Sequence, residues 1–408
     1  MREVSILDVR LHGRSIATLT NVQGDRTIFA FNEDYVADDL RPTLSLSFKD
    51  DLGGLITAFR PTQRVVPPFF SNLLPEGHLR RYLAERAGVN PQREFHLLGM
   101  LGRDLPGAIA IHPLAGAVRP DAGGADVIDA RPNALRFSLA GIQLKFSALE
   151  NAHRRGGLTI PAEGVGGSWI VKLPSQQFSG VPENEFSMMS LARSMGMDVP
   201  DLQLVDLGAI QGLPEGIGEL KGQALAVSRF DRTPEGPIHI EDFAQIFGVF
   251  PDDKYKTASY RNIAKVIGIE AGDAAVTEFI RRLVYSALIG NGDMHLKNWS
   301  LIYPNRRDAV LAPAYDLLST IPYIPSEDTA ALNYSRTRKM AALDSDELRH
   351  LAAKALLPEK LVLDAARETV QAFRELWPRE RTNLPLARPV IEAIDRHAPS
   401  VPLYAELA

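Results

Sequence analysis

Short alternating stretches open the chain and longer helical periodicities close it. Val4-Ser-Ile-Leu-Asp-Val-Arg-Leu11, Ser15-Ile-Ala-Thr-Leu19 and Thr27-Ile-Phe-Ala-Phe31 alternate apolar and polar positions, with turns at His12-Gly13 and Gln23-Gly24-Asp25. They predict a small antiparallel sheet or barrel within residues 1–60. Helices are expected near 76–87 and 92–101, and a Pro-, Gly-, Ala- and Asp-rich stretch at 113–133 reads as a linker. Two apolar runs, Ser168-Trp-Ile-Val-Lys-Leu-Pro174 and Gln223-Ala-Leu-Ala-Val-Ser-Arg-Phe-Asp231, predict strands around an amphipathic helix that starts at Glu183 and closes at Gly196. A second boundary is expected at Arg232-Thr-Pro-Glu-Gly-Pro237. Beyond it the chain reads as mainly helical, including 274–289 and 359–377, where Val362, Ala365, Ala366, Val370, Phe373 and Trp377 form a core stripe.

The break after 274–289 carries the candidate chemistry. Gly290-Asn-Gly-Asp-Met-His-Leu-Lys-Asn-Trp299 is followed by a strand, Trp299-Ser-Leu-Ile-Tyr303, a hairpin partner, 310–315, and then Tyr315-Asp-Leu-Leu-Ser319. Asp293 and Asn298 are spaced Asp-x-x-x-x-Asn, a pattern that occurs roughly once by chance in a chain of this length. Its context is what gives it meaning. Helix, polar loop, hairpin and aspartate is the order of a protein-kinase catalytic segment. Asp293 would be the base toward a hydroxyl, with Asn298 and Asp316 as oxygen ligands for Mg²⁺ on ATP.

A kinase needs four further parts upstream, and each has a candidate. Phe137-Ser-Leu-Ala-Gly-Ile-Gln-Leu-Lys145 holds a flexible Ala140-Gly141 pair whose backbone amides can approach phosphate. Lys172 lies in a strand, where an ammonium needs an anion unless it faces water at the strand end. Glu183 and Glu185 both sit in the first turn of the next helix and either can pair with Lys172, although acidic residues also collect there for dipole reasons. Ser228, Arg229 and Phe230 end the following strand where an adenine hinge would lie.

Together with Phe69-Phe-Ser-Asn-Leu-Leu-Pro-Glu76 and Gly102-Arg-Asp-Leu-Pro-Gly-Ala108, these motifs make the whole chain resemble the HipA-like serine/threonine kinases, toxins of bacterial HipBA-type toxin–antitoxin pairs. The resemblance implies Asp293 as catalytic base, Asn298 and Asp316 on Mg²⁺, and Lys172 on the ATP phosphates. It implies Ala140, Gly141, Ile142, Gln143, Leu144 and Lys145 as the phosphate loop, and Ser228, Arg229 and Phe230 as the hinge. His295 and Lys297 match positions flanking the base and are expected to contact phosphate or shape the loop, and Tyr315, which adjoins the metal aspartate, is expected at the nucleotide. Ser138 matches the serine that such kinases autophosphorylate in trans, where a phosphate of about -1.5 to -2 charge would compete for the loop amides. Leu144 and Phe146 stand where Glu and Thr are common in the family, a departure inside the loop.

Composition narrows the class. The 408 residues are 45% hydrophobic and 23% charged, ordinary for a folded protein of more than one subdomain. A net charge of -5 argues against a self-sufficient nucleic-acid binder, and no apolar run is long enough to span a bilayer. With no cysteine, disulfides and thiolate metal sites are excluded, which fits a cytoplasmic protein. Arg80-Arg81 and the Arg374, Glu375, Arg379, Glu380, Arg381 group read as solvated faces.

The expectation is an α+β, two-lobed protein-kinase-like fold: a β-rich N-terminal subdomain at 1–112, a linker at 113–133, an ATP-binding core at 134–232 and an all-helical catalytic lobe at 233–408. By resemblance, it phosphorylates a protein, an aminoacyl-tRNA synthetase in the best-known members. A HipB-like DNA-binding antitoxin would neutralise it, with DNA reached only through that partner and no role for a membrane. A small-molecule kinase on the same scaffold, or a non-catalytic co-repressor, are the alternatives.

Overall fold

The computed structural model describes residues 5–114, 145–150, 158–160, 167–175, 177–213, 220–324 and 328–407. Ser138 and the loop positions Ala140, Gly141, Ile142, Gln143 and Leu144 lie outside them, as do residues 115–133 of the expected linker.

The N-terminal alternation forms strands β1 (Ser5–Leu11), β2 (Arg14–Val22) and β3 (Arg26–Phe31), which join β4 (Thr62–Gln63) and β5 (Ile109–Pro113) in one sheet of order β4-β3-β2-β1-β5. The short helices α1 (Glu33–Val36) and α2 (Pro68–Ser71) and the longer α3 (Gly77–Ala87) and α4 (Glu94–Leu101) complete this part. The second sheet holds β6 (Lys145–Glu150), β7 (Leu158–Thr159), β8 (Trp169–Lys172), β9 (Leu202–Asp206), β10 (Ile210–Gln211) and β11 (Gln223–Ser228), in the order β10-β7-β6-β8-β11-β9. Helix α5 (Val181–Ser194) packs on it.

Downstream, Arg232-Thr-Pro-Glu-Gly-Pro237 is a small hairpin, β12 (Arg232–Thr233) with β13 (Gly236–Pro237). The C-terminal lobe is not all helical. Strands β14 (His239–Asp242), β15 (Ser300–Tyr303) and β16 (Val310–Leu311) form a three-stranded antiparallel sheet inside it. The four-residue β14 is too short to show a period, which is why only the β15–β16 hairpin was legible. Around this sheet lie α6 (Phe243–Ile246), α7 (Tyr260–Glu270), α8 (Gly272–Leu288), α9 (Ser345–Ala355), α10 (Glu359–Glu380) and α11 (Arg388–His397). The α10 stripe is core as expected, its six residues all buried.

Two apolar cores result. One merges Leu7, Val9 and Phe29 of the first sheet with Phe146, Val171 and Ala226 of the second, so the two sheets share one core. The other joins Met188 and Leu191 of α5 to α7, α8 and α10. Among the described residues, no helix is long and apolar enough to cross a membrane.

Candidate active site

Neighbouring strands place two lysines side by side. Lys145 begins β6 and pairs in register with Lys172 at the end of β8. Like charges directly opposite repel, so this pairing needs anions. Asp316 and Glu185 supply them. Lys172 Nζ donates to both carboxylates, and Lys145 Nζ lies 3.2 Å from Asp316 Oδ2. The result is two cations and two anions in a largely buried cluster. Burial alone would drive Lys172 toward its neutral form, but Asp316 and Glu185 more than offset it and its pKa rises. Lys145 goes the other way: burial, reinforced by the Lys172 charge, outweighs the attraction of Asp316 and lowers its pKa. Burial likewise works against the Asp316 carboxylate, but the two ammonium groups hold it far below the usual carboxylate range.

Two expectations are refined here. Lys145 is a strand residue rather than part of a loop, because Lys145 to Ala148 pair residue by residue with β8. Of the two candidate acids, Glu185 is the partner of Lys172. Glu183 instead faces β11, with Oε1 3.4 Å from the amide of Gln223. Residues two apart on a helix point in different directions, so only one of them can face the sheet interior at Lys172.

Opposite this cluster, α8 ends at Leu288, and Gly290, with a positive φ of 66°, turns the chain into the loop. The loop is held by its own asparagines: Asn291 Oδ1 accepts from the Asp293 amide at 3.0 Å, and Asn298 Nδ2 donates to the Asp293 carbonyl at 2.8 Å. Gly292 donates to Thr320 Oγ1 at 2.9 Å, tying the loop to the segment after Asp316. Tyr255 OH donates to Asp293 Oδ1 at 2.6 Å. Burial raises the Asp293 pKa against the opposing effects of that hydrogen bond and of Lys254. Asp316 itself has a left-handed backbone, φ 55°. Asp316 and Asn298 both line the cavity and present hard oxygen donors of the kind Mg²⁺ takes, with phosphate oxygens and water to complete an octahedron. The residues present therefore fit a nucleotide-bound Mg²⁺.

The remaining expected positions divide. At the hinge, the Ser228 and Arg229 amides already donate to Asp201 and Ser168 carbonyls, both at 2.8 Å. The Phe230 amide has no hydrogen-bond partner among the described residues, and its ring faces Tyr315 at 6.0 Å. The Arg229 side chain is committed to protein partners. It is buried in a charge network with Asp231 at 2.9 Å and Asp104 at 3.2 Å, which Arg232 shares. Tyr315 uses its hydroxyl on Ser300 and on the Lys297 carbonyl at 3.0 Å, so it shapes the floor between loop and hairpin. Lys297 is likewise committed to protein: its Nζ donates to the Asn72 carbonyl at 2.7 Å and lies 3.3 Å from Glu76. His295 is buried, and burial followed by Lys254 lowers its pKa to about 3, so it is a neutral imidazole.

Sequence reasoning missed Tyr255, Lys254, Asn291, Asn72, Glu76 and Asp104. The last three lie in the two N-terminal signatures, which nothing in the sequence pointed at the catalytic loop or the hinge. One continuous cavity of about 1020 Å³ joins these parts, lined by Lys145, Lys172, Phe230, Asp293, Asn298 and Asp316 among others.

Both halves of the chain match known family models. Residues 7–112 match the HipA N-terminal domain and residues 137–377 the HipA-like C-terminal domain. Over all 408 residues, and the whole of its counterpart, the chain is 69% identical to Y4dM of Sinorhizobium fredii, provisionally designated a kinase. It is 28% identical over 66% of its length to 67% of the serine/threonine-protein kinase toxin HipA of Shewanella oneidensis. The fold matches a chain of the Shewanella oneidensis HipA, HipB and operator DNA complex at TM-score 0.69 and 23% identity, covering 98% of this chain and 96% of that one. With family models spanning both halves and a full-length relative, the chain belongs to the HipA-like kinase family.

Proposed function

We propose that this protein transfers the γ-phosphoryl group of Mg·ATP to a serine or threonine hydroxyl of a protein, as the toxin of a HipBA-type pair. One observation carries the reading: Lys172, bonded to Glu185 and Asp316, faces the Asp293–Asn298 loop across a single cavity large enough for a nucleotide. Lys172 and Lys145 would meet the phosphates and Phe230 would offer its amide to adenine. Asp293 would orient the acceptor hydroxyl and take its proton as the new P–O bond forms, while the β-phosphate leaves with the broken P–O pair. Asp316 and Asn298 would hold Mg²⁺, which, when bound, neutralises charge on the phosphates. Residues 140–144 would close over them, and phosphorylation of Ser138 would withdraw that loop. The fold likeness to a HipA solved with HipB and operator DNA supports a HipB-like antitoxin as partner. An aminoacyl-tRNA synthetase is the proposed substrate.

Purified protein incubated with labelled Mg·ATP and a cell lysate should label one or a few proteins and itself at Ser138. Asp293→Asn protein should label none, yet should acquire phosphate on Ser138 when a trace of wild type is added. Transfer to sugars or aminoglycosides with no protein labelled would overturn the protein-kinase reading. Phosphate located elsewhere, with Ser138 unmodified, would overturn the regulatory part.

A further inference from the structure

The segment between α6 and α7 touches the catalytic loop, and nothing in the family assignment gives it a role. Lys254 reaches across to the N-terminal part, where its Nζ donates to Glu76 Oε2 at 2.6 Å. Its carbonyl lies 3.4 Å from the Leu296 amide inside the catalytic loop. The next residue, Tyr255, is 40% exposed at the cavity, yet its ring is fixed on two sides. His295 meets it edge-on at 5.0 Å between centroids, and Lys254 Nζ stands 5.5 Å from its centre. From that seat its hydroxyl donates to Asp293 Oδ1 at 2.6 Å, while Oδ2 has no hydrogen-bond partner among the described residues.

We propose that Tyr255 is a positioning residue: held by Lys254 and, through it, by Glu76 of the N-terminal part, it orients the Asp293 carboxylate so that Oδ2 faces the acceptor hydroxyl. The reasoning is geometric. A carboxylate on a free side chain rotates about χ2, and backbone contacts from Asn291 and Asn298 fix the main chain of Asp293 but not that rotation. One short hydrogen bond to one oxygen removes the freedom and leaves the other oxygen for the acceptor. The inference rests on the phosphotransfer reading above.

The test separates rate from binding. Tyr255→Phe should lower kcat roughly 10- to 100-fold, as expected for losing one hydrogen bond to a charged group. Its nucleotide Kd, acceptor KM and melting temperature should stay at wild-type values. Lys254→Met should lower kcat in the same direction, Lys254→Arg should restore it, and Lys254→Met should add nothing in the Tyr255→Phe background, since the two act as one unit. An unchanged kcat in Tyr255→Phe overturns the proposal. So does a raised kcat with a lower acceptor KM, which would mean that the tyrosine hydroxyl occupies the acceptor's own place. If the wild type transfers no phosphate at all, the phosphotransfer reading fails, and crystal structures of wild type and Tyr255→Phe decide this one. A turned Asp293 carboxylate in the variant supports it; an unmoved one sinks it.

Discussion

Asp293 and Asp316 are both acids at one cavity, but their surroundings give them opposite characters. Asp316 is saturated by two ammonium groups and stays ionised, as the proposed metal ligand would have to be, whereas Asp293 has one neutral donor and a raised pKa, as would suit the proposed base. Asp293→Asn is therefore expected to cut phosphate transfer by about 10²- to 10⁴-fold with nucleotide affinity intact, measured by labelled-ATP transfer and nucleotide titration. Asp316→Ala should instead weaken binding of Mg·ATP, and much less that of ATP in chelator. Equal loss under both conditions would mean that the aspartate serves the lysines and not the metal. A third acid reports on pH. Glu241 is fully buried, with Ser45, Tyr303 and the Leu46 amide as its hydrogen-bond partners, and burial lifts its pKa from an ordinary 4.5 to about 7. Because the folded value lies above the unfolded one, its contribution to stability is complete below about pH 4.5 and is lost as pH rises through about 7. The difference is on the order of 3 kcal/mol. Glu241→Gln, which mimics the neutral acid, should gain stability relative to wild type between pH 5 and about pH 8 in denaturant unfolding. Parallel stability curves would refute it.

Helix ends decide what the loops can do. The α8 helix must stop one turn short of Asp293, and Gly290 achieves this with a left-handed backbone packed under Ile321. A Cβ there would fall 2.5 Å from Ile321 Cδ1, so Gly290→Ala meets both a strained φ and a contact. We expect a loss of about 1–3 kcal/mol by denaturant unfolding, together with reduced transfer, because the turn carries the catalytic loop. In α5 the phase of the helix, rather than its composition, selects Glu185 for the interior. Asn184 beside it bonds the backbone at Ser319, fastening α5 to the segment that carries Asp316.

Seen as one body, the N-terminal part is built into the wall of the candidate site. It shares a core with the second sheet, clamps Lys254 and Lys297 through Glu76 and Asn72, and grips the expected hinge segment after β11 through Asp104. Removing one member of a buried ion network leaves its partners uncompensated, a larger effect than losing a surface pair. Asp104→Ala should thus cost about 3–5 kcal/mol in denaturant unfolding, because Arg229 and Arg232 then share Asp231 alone. Nucleotide affinity should fall too, since the hinge loses its brace. A variant of wild-type stability would show the N-terminal part to be only loosely docked.

What the sequence by itself determined is local. Alternation named β1, β2 and β3, helical period named α3, α4, α8 and α10, and spacing named Asp293, Asn298 and Asp316, because each of these signals is complete within a few turns of chain. Lys172 was recognisable for the same reason, as a cation inside an apolar strand. Tertiary structure alone chose Glu185 over Glu183, tied the Arg229 guanidinium to Asp104 of the N-terminal part, put β14 into a lobe expected to be helical, and set Tyr255 on Asp293. Those outcomes depend on partners far away in sequence, up to 125 residues for Arg229 with Asp104 and 225 for Lys297 with Asn72. A charged side chain's direction is decided by where all its partners land after folding, and although Asp231 lies only two residues from Arg229, neither Asp104 nor Asn72 falls in a local window around the side chain it holds.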